Sequence, residues 1–234
     1  MNHLGIFAKY WEPGKVKTRL ARSLGKIRAS QIYFTFFKHL LLRLSEAGEV
    51  RTVGFAPAEK HRAFAEEVGE AWGLTPQSDG QLGARMRDFF EWAHRENRQS
   101  TQDSERSNVI LIGSDTPHLP GELIQRAFEL LEEYPVVLGP STDGGYYLLG
   151  MSESCYPIFD GINWSTDQVL SQTVMQLKKQ GLRYALLEPL TDVDEYQHLK
   201  KLIERLREQS NTADSFDNKL LAAVEQFSCE GDLT

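Results

Sequence analysis

The chain has 234 residues, 41% hydrophobic and 25% charged, the balance of a soluble globular protein with one sizeable core. A net charge of -7 leaves no basic excess for a phosphate backbone, so no nucleic-acid partner is expected, and no apolar run is long enough for a membrane span. The N-terminal apolar run is too short for a signal peptide, and Cys155 and Cys229 lie far apart with no CxxC pair, so free thiols in a reducing, cytoplasmic setting are expected.

In chain order, "HLGIFAKY" reads as a short buried strand closed by the turn residues "EPG", and residues 18–47 as helix with a break near Gly25. "RTVGFAPA" is a second strand. "AEKHRAFAEEVGEAW" and "GARMRDFFEWAHREN" are helices, and "RQSTQDSERS" an exposed loop. "NVILIGSD" is the clearest buried strand, followed by the helix "GELIQRAFELLEEY" and the strands "PVVLGPS" and "GYYLLGM". The helix "TDQVLSQTVMQLKKQG" ends at Gly181, a good C-terminal cap. A strand "LRYALLEPL" and a capped helix "DEYQHLKKLIERLRE" follow. Strands alternating with helices predict an α/β fold with a mostly parallel sheet. One domain over 1–210 is expected, with a partly helical tail over 211–234.

Ligands of open α/β sheets sit beyond the carboxyl ends of the strands, and four strand exits stand out. The first carries Lys9, Lys15, Lys17 and Arg19 around the turn at Gly14, leading into a helix. A helix N-terminus with added cations favours phosphate, while a solvated basic turn has the same composition. It is not a Walker A loop: Lys9 stands where glycine is needed and Val16 where Ser or Thr is needed. At the second exit, "GSDTP", Asp115 suits Mg²⁺, which takes hard oxygen ligands, and equally suits an Asx turn before proline. At the third, Asp143, Gly144 and Gly145 either let backbone approach a ligand or form a hairpin turn. At the fourth, Asp192 and Asp194 precede a helix that either could cap. Together they spell DxD, though not where that glycosyltransferase metal motif usually lies.

The order of "FAKYWEPGKVKTRLA", "DGQLGARM", "GSDTPHLP", "GPSTDGGYYLLG", "INWSTDQVLSQT" and "LTDVDEY" resembles the DUF2064 transferases over roughly residues 4–205. That family is also catalogued as rSAM/selenodomain-associated transferase 1, and some members are labelled arsenosugar-biosynthesis glycosyltransferases. The resemblance implies a GT-A-like (Rossmann-like) three-layer sandwich of the nucleotide-diphospho-sugar transferase superfamily. More distantly, the chain is similar to guanylyltransferases that activate phospholactate and to molybdenum-cofactor nucleotidyltransferases.

By this resemblance Lys9, Gly14, Lys17 and Arg19 would hold nucleotide phosphates, and Arg85 would contact nucleotide or acceptor. Asp115 would be the principal Mg²⁺ (or Mn²⁺) ligand, with Asp194 and Asp192 completing the metal environment. Asp143, Gly144 and Gly145 would shape the acceptor side, and Trp164, Ser165 and Thr166 would line the donor or acceptor pocket. Three positions depart from the family pattern: Ala84 stands where an acidic residue is expected, and Glu195 and His198 replace a "DTPEDL"-like sequence.

Lys17 and Arg19 opposite an Asp115-bound metal would stabilise charge building on phosphate oxygens, with a small-molecule acceptor supplying the nucleophile. There is no HExxH or GxSxG motif, and the six histidines are scattered. Glycosyl transfer from a nucleotide sugar is the leading expectation. Nucleotidyl transfer from an NTP with release of pyrophosphate is the second, because a basic loop suits a free triphosphate. A non-catalytic nucleotide-binding protein on the same fold is the third.

Overall fold

In β1 (Asn2–Lys9), Leu4, Ile6 and Ala8 enter one core cluster while Phe7 packs against another, the period-two alternation of a strand covered on both faces. The same division recurs in β4 (Asn108–Gly113), where Ile110 and Ile112 join the first cluster and Val109 and Leu111 the second. The computed structural model describes residues 1–100, 106–209 and 215–228.

Seven strands form one sheet. With β2 (Val50–Ala56), β3 (Gly73–Pro76), β5 (Val136–Pro140), β6 (Tyr146–Ser152) and β7 (Tyr184–Leu186), its order is β3-β2-β1-β4-β6-β5-β7. Only β6 runs against its neighbours, which makes β5 and β6 a hairpin inside an otherwise parallel sheet. The fold is the expected mostly parallel α/β sandwich.

Helices cover both faces. On one, α2 (Lys26–Arg43), α3 (His61–Glu67) and α5 (Gly121–Leu131) bury Phe37, Phe64 and Ile124. On the other, α4 (Leu82–Ser100) and α6 (Val169–Lys179) bury Phe90 and Leu177. A third cluster joins Ile32 and Phe36 of α2 to α7 (Tyr196–Gln209) and α8 (Ser215–Ser228), where Leu220 and Val224 are buried. Burying each such side chain contributes roughly 1.5–3 kcal/mol, so α8 is part of the packed body.

Several boundaries differ from the sequence reading. The first helical region is a turn followed by the short α1 (Ala21–Leu24), with Gly25 at φ 80° breaking it from α2. The helix expected through Trp72 stops at Glu67, because the Trp72 indole turns into the core and donates to Leu41 O at 3.0 Å. Strand β3, not anticipated, follows directly and pairs Thr52–Phe55 as the sheet edge, where Pro76 is tolerated. Helix α4 runs on to Ser100, and 101–105 of the expected loop lie outside the described residues. Strand β7 keeps only three of the nine expected residues.

Candidate functional site

A cleft of about 710 Å³ opens at the carboxyl ends of β1 and β4. Lys9, Lys15, Lys17, Arg19, Arg85, Asp115, Ser165, Asp192 and Asp194 line it. The resemblance implies a role for all of these except Lys15, which stands out by its place in the basic turn after the first strand.

The centre of the cleft is one ion triad. Lys17 Nζ lies 2.6 Å from Asp115 Oδ1 and 3.0 Å from Asp194 Oδ1. Its side chain is 2% exposed, whereas the two carboxylates are 45% and 35% exposed. Burial opposes the charge on Lys17, but the charges of Asp115 and Asp194 outweigh it and hold the ammonium above its ordinary range. The inward aim follows from the backbone: Lys17 has φ 44°, the left-handed region, and its carbonyl accepts Ala21 N–H at 2.8 Å to start α1. Lys17 is thus paired with two carboxylates, whereas the resemblance implied that it would hold nucleotide phosphates. Lys9, Lys15 and Arg19 remain exposed, with Arg19 only 4.0 Å from the exposed Glu195, a pair of little energetic weight.

The strand exits are tied together beneath this triad. Val193 N–H donates to the Asp115 carbonyl at 2.9 Å, and Leu190 N–H to Pro140 O at 3.0 Å, so the 190–194 segment is hooked to β4 and β5. Asp192 supplies a side-chain brace, with Oδ1 accepting from Thr116 Oγ1 and Oδ2 from Ser141 Oγ at 3.0 Å. Burial raises its carboxyl to about 6, the two hydroxyls partly opposing the shift. Both oxygens being so engaged, Asp192 is a brace in this arrangement, and the outward pair is Asp115 with Asp194. Tyr33 on α2 is a second brace that the sequence did not signal. Its hydroxyl accepts Lys9 N–H at 2.8 Å and lies 2.8 Å from Ser114 Oγ, and burial raises its pKa to about 12.

Other expected residues lie off the cleft wall. Gly14, at φ 84°, shapes the basic turn against the Lys26 side chain. Asp143, Gly144 and Gly145 form the β5–β6 turn, in which Gly145 N–H donates to Asp143 Oδ1 at 3.0 Å. Gly144 (φ 90°) leaves no room for a side chain, since an added Cβ would meet Asp167 O at 2.1 Å. Trp164 packs its indole where a Cβ on Gly83 would stand, 2.6 Å away, and Thr166 Oγ1 donates to Asn163 O at 2.7 Å. These contacts place Ser165, at φ 64°, on the cleft wall.

A side slot of about 210 Å³ adjoins the cleft and shares Phe7, Gln77 and Arg85 with it. Phe89 and Trp92 wall it, and Ser78 Oγ is buried there without a hydrogen-bond partner. Gln77 Nε2 donates to Gly54 O at 2.7 Å and Ala8 O at 3.3 Å, which orients its amide.

Among the described residues no group of three or more His, Cys, Asp or Glu converges as a metal cage. Mg²⁺ commonly takes one or two protein carboxylates and draws its remaining ligands from phosphate and water. Two carboxylate oxygens already converging on a single cation, the Lys17 ammonium, fit that pattern.

A family model described as "Uncharacterized protein conserved in bacteria (DUF2064)" matches residues 41–166. Among solved structures, a candidate nucleotide-diphospho-sugar transferase from Desulfovibrio desulfuricans G20 is 30% identical, with 97% of each chain covered and a TM-score of 0.78. A nucleotidyl transferase from Methanothermobacter thermautotroptrophicus (14% identity; 89% of this chain, 99% of that one; TM-score 0.55) shares the fold. So does a cytidylyltransferase from Leptospira borgpetersenii (12% identity; 100% and 98%; TM-score 0.53). No curated protein matches the sequence. No helix among the described residues is long and apolar enough to cross a membrane.

Proposed function

The chain belongs to the DUF2064 family, and from that premise we propose that it is a divalent-cation-dependent glycosyltransferase using a nucleotide-sugar donor and a small-molecule acceptor. The observation that carries the reading is the Asp115–Lys17–Asp194 triad at the strand ends, within a cleft large enough for a nucleotide diphosphate. Asp115 and Asp194 would hold Mg²⁺ or Mn²⁺, which supplies charge neutralisation at the donor phosphates. Lys9, Lys15, Arg19 and Arg85 are the other cations lining the same cleft and would bind the outer phosphate oxygens. Asp192 and Tyr33 would hold the exits of β4 and β1 in register. The slot between Phe7, Phe89 and Trp92 would take the base, with Gln77 and Ser78 facing its polar edge. The acceptor hydroxyl would form the new bond to the sugar carbon, losing its proton to solvent, as the bond from that carbon to the phosphate oxygen breaks and the nucleoside diphosphate leaves.

Nucleotidyl transfer is the second reading, favoured by the exposed cations of the first loop. Lys17 tips the balance toward glycosyl transfer, because its charge is already matched by two carboxylates and adds little to what a bare triphosphate needs. Product analysis decides between them after incubation with nucleotide sugars or NTPs, Mg²⁺ and candidate acceptors. Nucleoside diphosphate from a nucleotide sugar is expected; pyrophosphate from an NTP would replace this reading with the second. Asp115→Asn should keep the fold and reduce Mg²⁺-dependent nucleotide affinity at least about tenfold, the scale of one lost charge-assisted contact. Equal affinity would remove Asp115 from the metal site.

A further inference from the structure

The triad raises a problem of charge that the proposed reaction must solve. A divalent cation reaching Asp115 Oδ1 and Asp194 Oδ1 would arrive where an ammonium already sits 2.6 and 3.0 Å from the same two atoms. The ammonium is not readily expelled. Its side chain is 2% exposed, its Nζ lies 5.9 Å from the centre of the Phe36 ring, and its backbone is anchored at the start of α1. One lysine and two carboxylates sum to a single negative charge, which is a weak attraction for a free metal ion and is further opposed by the ammonium at contact range. A diphosphate changes that balance. Its oxygens supply the negative charge that lets two cations share one cleft, and they fill the coordination positions that two carboxylates leave open.

We infer that Lys17 acts as a resident counter-ion that excludes free divalent metal from Asp115 and Asp194, so that the site takes its metal only together with a nucleotide diphosphate. Lys17 is then the residue that sets ligand specificity: it makes the metal–nucleotide complex, and not the free metal, the species that fills the carboxylate site. The inference rests on the metal-nucleotide reading of the cleft, and its test separates the two.

Mn²⁺ is the probe, followed by the electron paramagnetic resonance signal of the free ion and by thermal shift, with ADP, CDP, GDP and UDP each present or absent. For the unmodified protein, Mn²⁺ alone is expected to bind weakly and leave the melting temperature unchanged. Mn²⁺ with the cognate diphosphate should bind at least about tenfold more tightly and raise the melting temperature by the linkage of ligand to the folded state. In Lys17→Met, whose carboxylates lose their counter-ion, Mn²⁺ alone should bind about tenfold more tightly than in the unmodified protein. It should also raise the variant's melting temperature, the metal replacing the missing charge.

Two results would overturn the inference while leaving the functional reading intact. One is free Mn²⁺ binding the unmodified protein as tightly as it does with diphosphate, a result that needs no variant. The other is the same Mn²⁺ affinity with and without the Lys17 ammonium. If no diphosphate binds with or without Mn²⁺, the functional reading falls and the inference with it.

Discussion

At the scale of single residues, the site separates two aspartates that the sequence presents as equivalents. Asp194 reaches Lys17, while Asp192, two positions earlier, spends both oxygens on Thr116 and Ser141. Removing a buried acceptor leaves its donors unsatisfied, at a cost of about 1–3 kcal/mol. Asp192→Ala should therefore lower the melting temperature while leaving the number of bound Mn²⁺ ions per chain unchanged in the presence of nucleotide. Asp194→Ala should show the reverse weighting: a larger loss of metal-dependent binding than of stability, since its carboxylate is more exposed and faces the cleft. Titration of both variants with Mn²⁺ and a diphosphate, beside their melting curves, checks the pair. A lost metal equivalent in Asp192→Ala would make that residue a ligand after all.

At the scale of elements, the β5–β6 turn is locked to the segment between β6 and α6. Gly144 accepts Leu170 N–H at 2.9 Å and faces Asp167 O, a backbone atom that cannot swing aside. Gly144→Ala would combine a left-handed backbone penalty with this clash, and a loss exceeding about 2 kcal/mol is expected. It should also weaken nucleotide-sugar binding, because the displaced 163–168 segment carries Ser165. Gly145→Ala, whose nearest obstacle is the Asp143 side chain at 3.2 Å, is the control and should melt close to the parent. Similar melting temperatures for the two would dismiss the lock.

These elements also mark what was legible beforehand. "NVILIG", "PVVLG" and "GYYLLG" announced strands by unbroken apolar runs, and the Asp-Gly turn announced the hairpin, because both signals are local. Strand β3 is short, lies at the sheet edge and contains Gly73 and Pro76, so it carries no periodicity to read. The Lys17 side chain turns inward because of one positive φ, and Trp164 seats on Gly83, 81 positions earlier. Tyr33 was hidden inside an apolar helix. These depend on tertiary placement, which spacing along the chain does not encode.

At the scale of the whole molecule, the two ends of the sheet carry different chemistry. The cleft occupies the carboxyl ends of the strands, whereas the opposite end buries a neutral polar network. His3 lies 2.9 Å from Thr52 Oγ1 and 3.1 Å from Asn97 Oδ1; Asn97 Nδ2 donates to Ser107 Oγ, which lies 2.9 Å from His94 Nδ1. Burial lowers His3 to about 4, with Asn97 partly opposing. Burial, the Arg98 charge and then His3 lower His94 to about 3. His118, under α7 and α8, falls to about 4 through burial and then the charges of Arg205 and Arg43. In the unfolded chain such groups titrate near 6.5. Between about 6.5 and 4 the unfolded state therefore binds protons that the folded state refuses, and stability falls as pH falls. The stabilisation is fully present above 6.5 and lost toward 4, on the order of 2–3 kcal/mol for each independent group; His3 and His94, which sense each other, contribute less than twice that. Asp192, raised to about 6, has the opposite sign, its contribution being present at low pH and lost as pH rises from about 4 to 6, and it offsets roughly one histidine. Three lowered groups against one raised group leave a net loss on acidification. Melting curves from pH 7.5 to 4.5 should show a steady fall beginning near 6.5, and His118→Gln should fall less steeply. A melting temperature that stays level to pH 5 would show that the buried histidines take up protons without opening the fold.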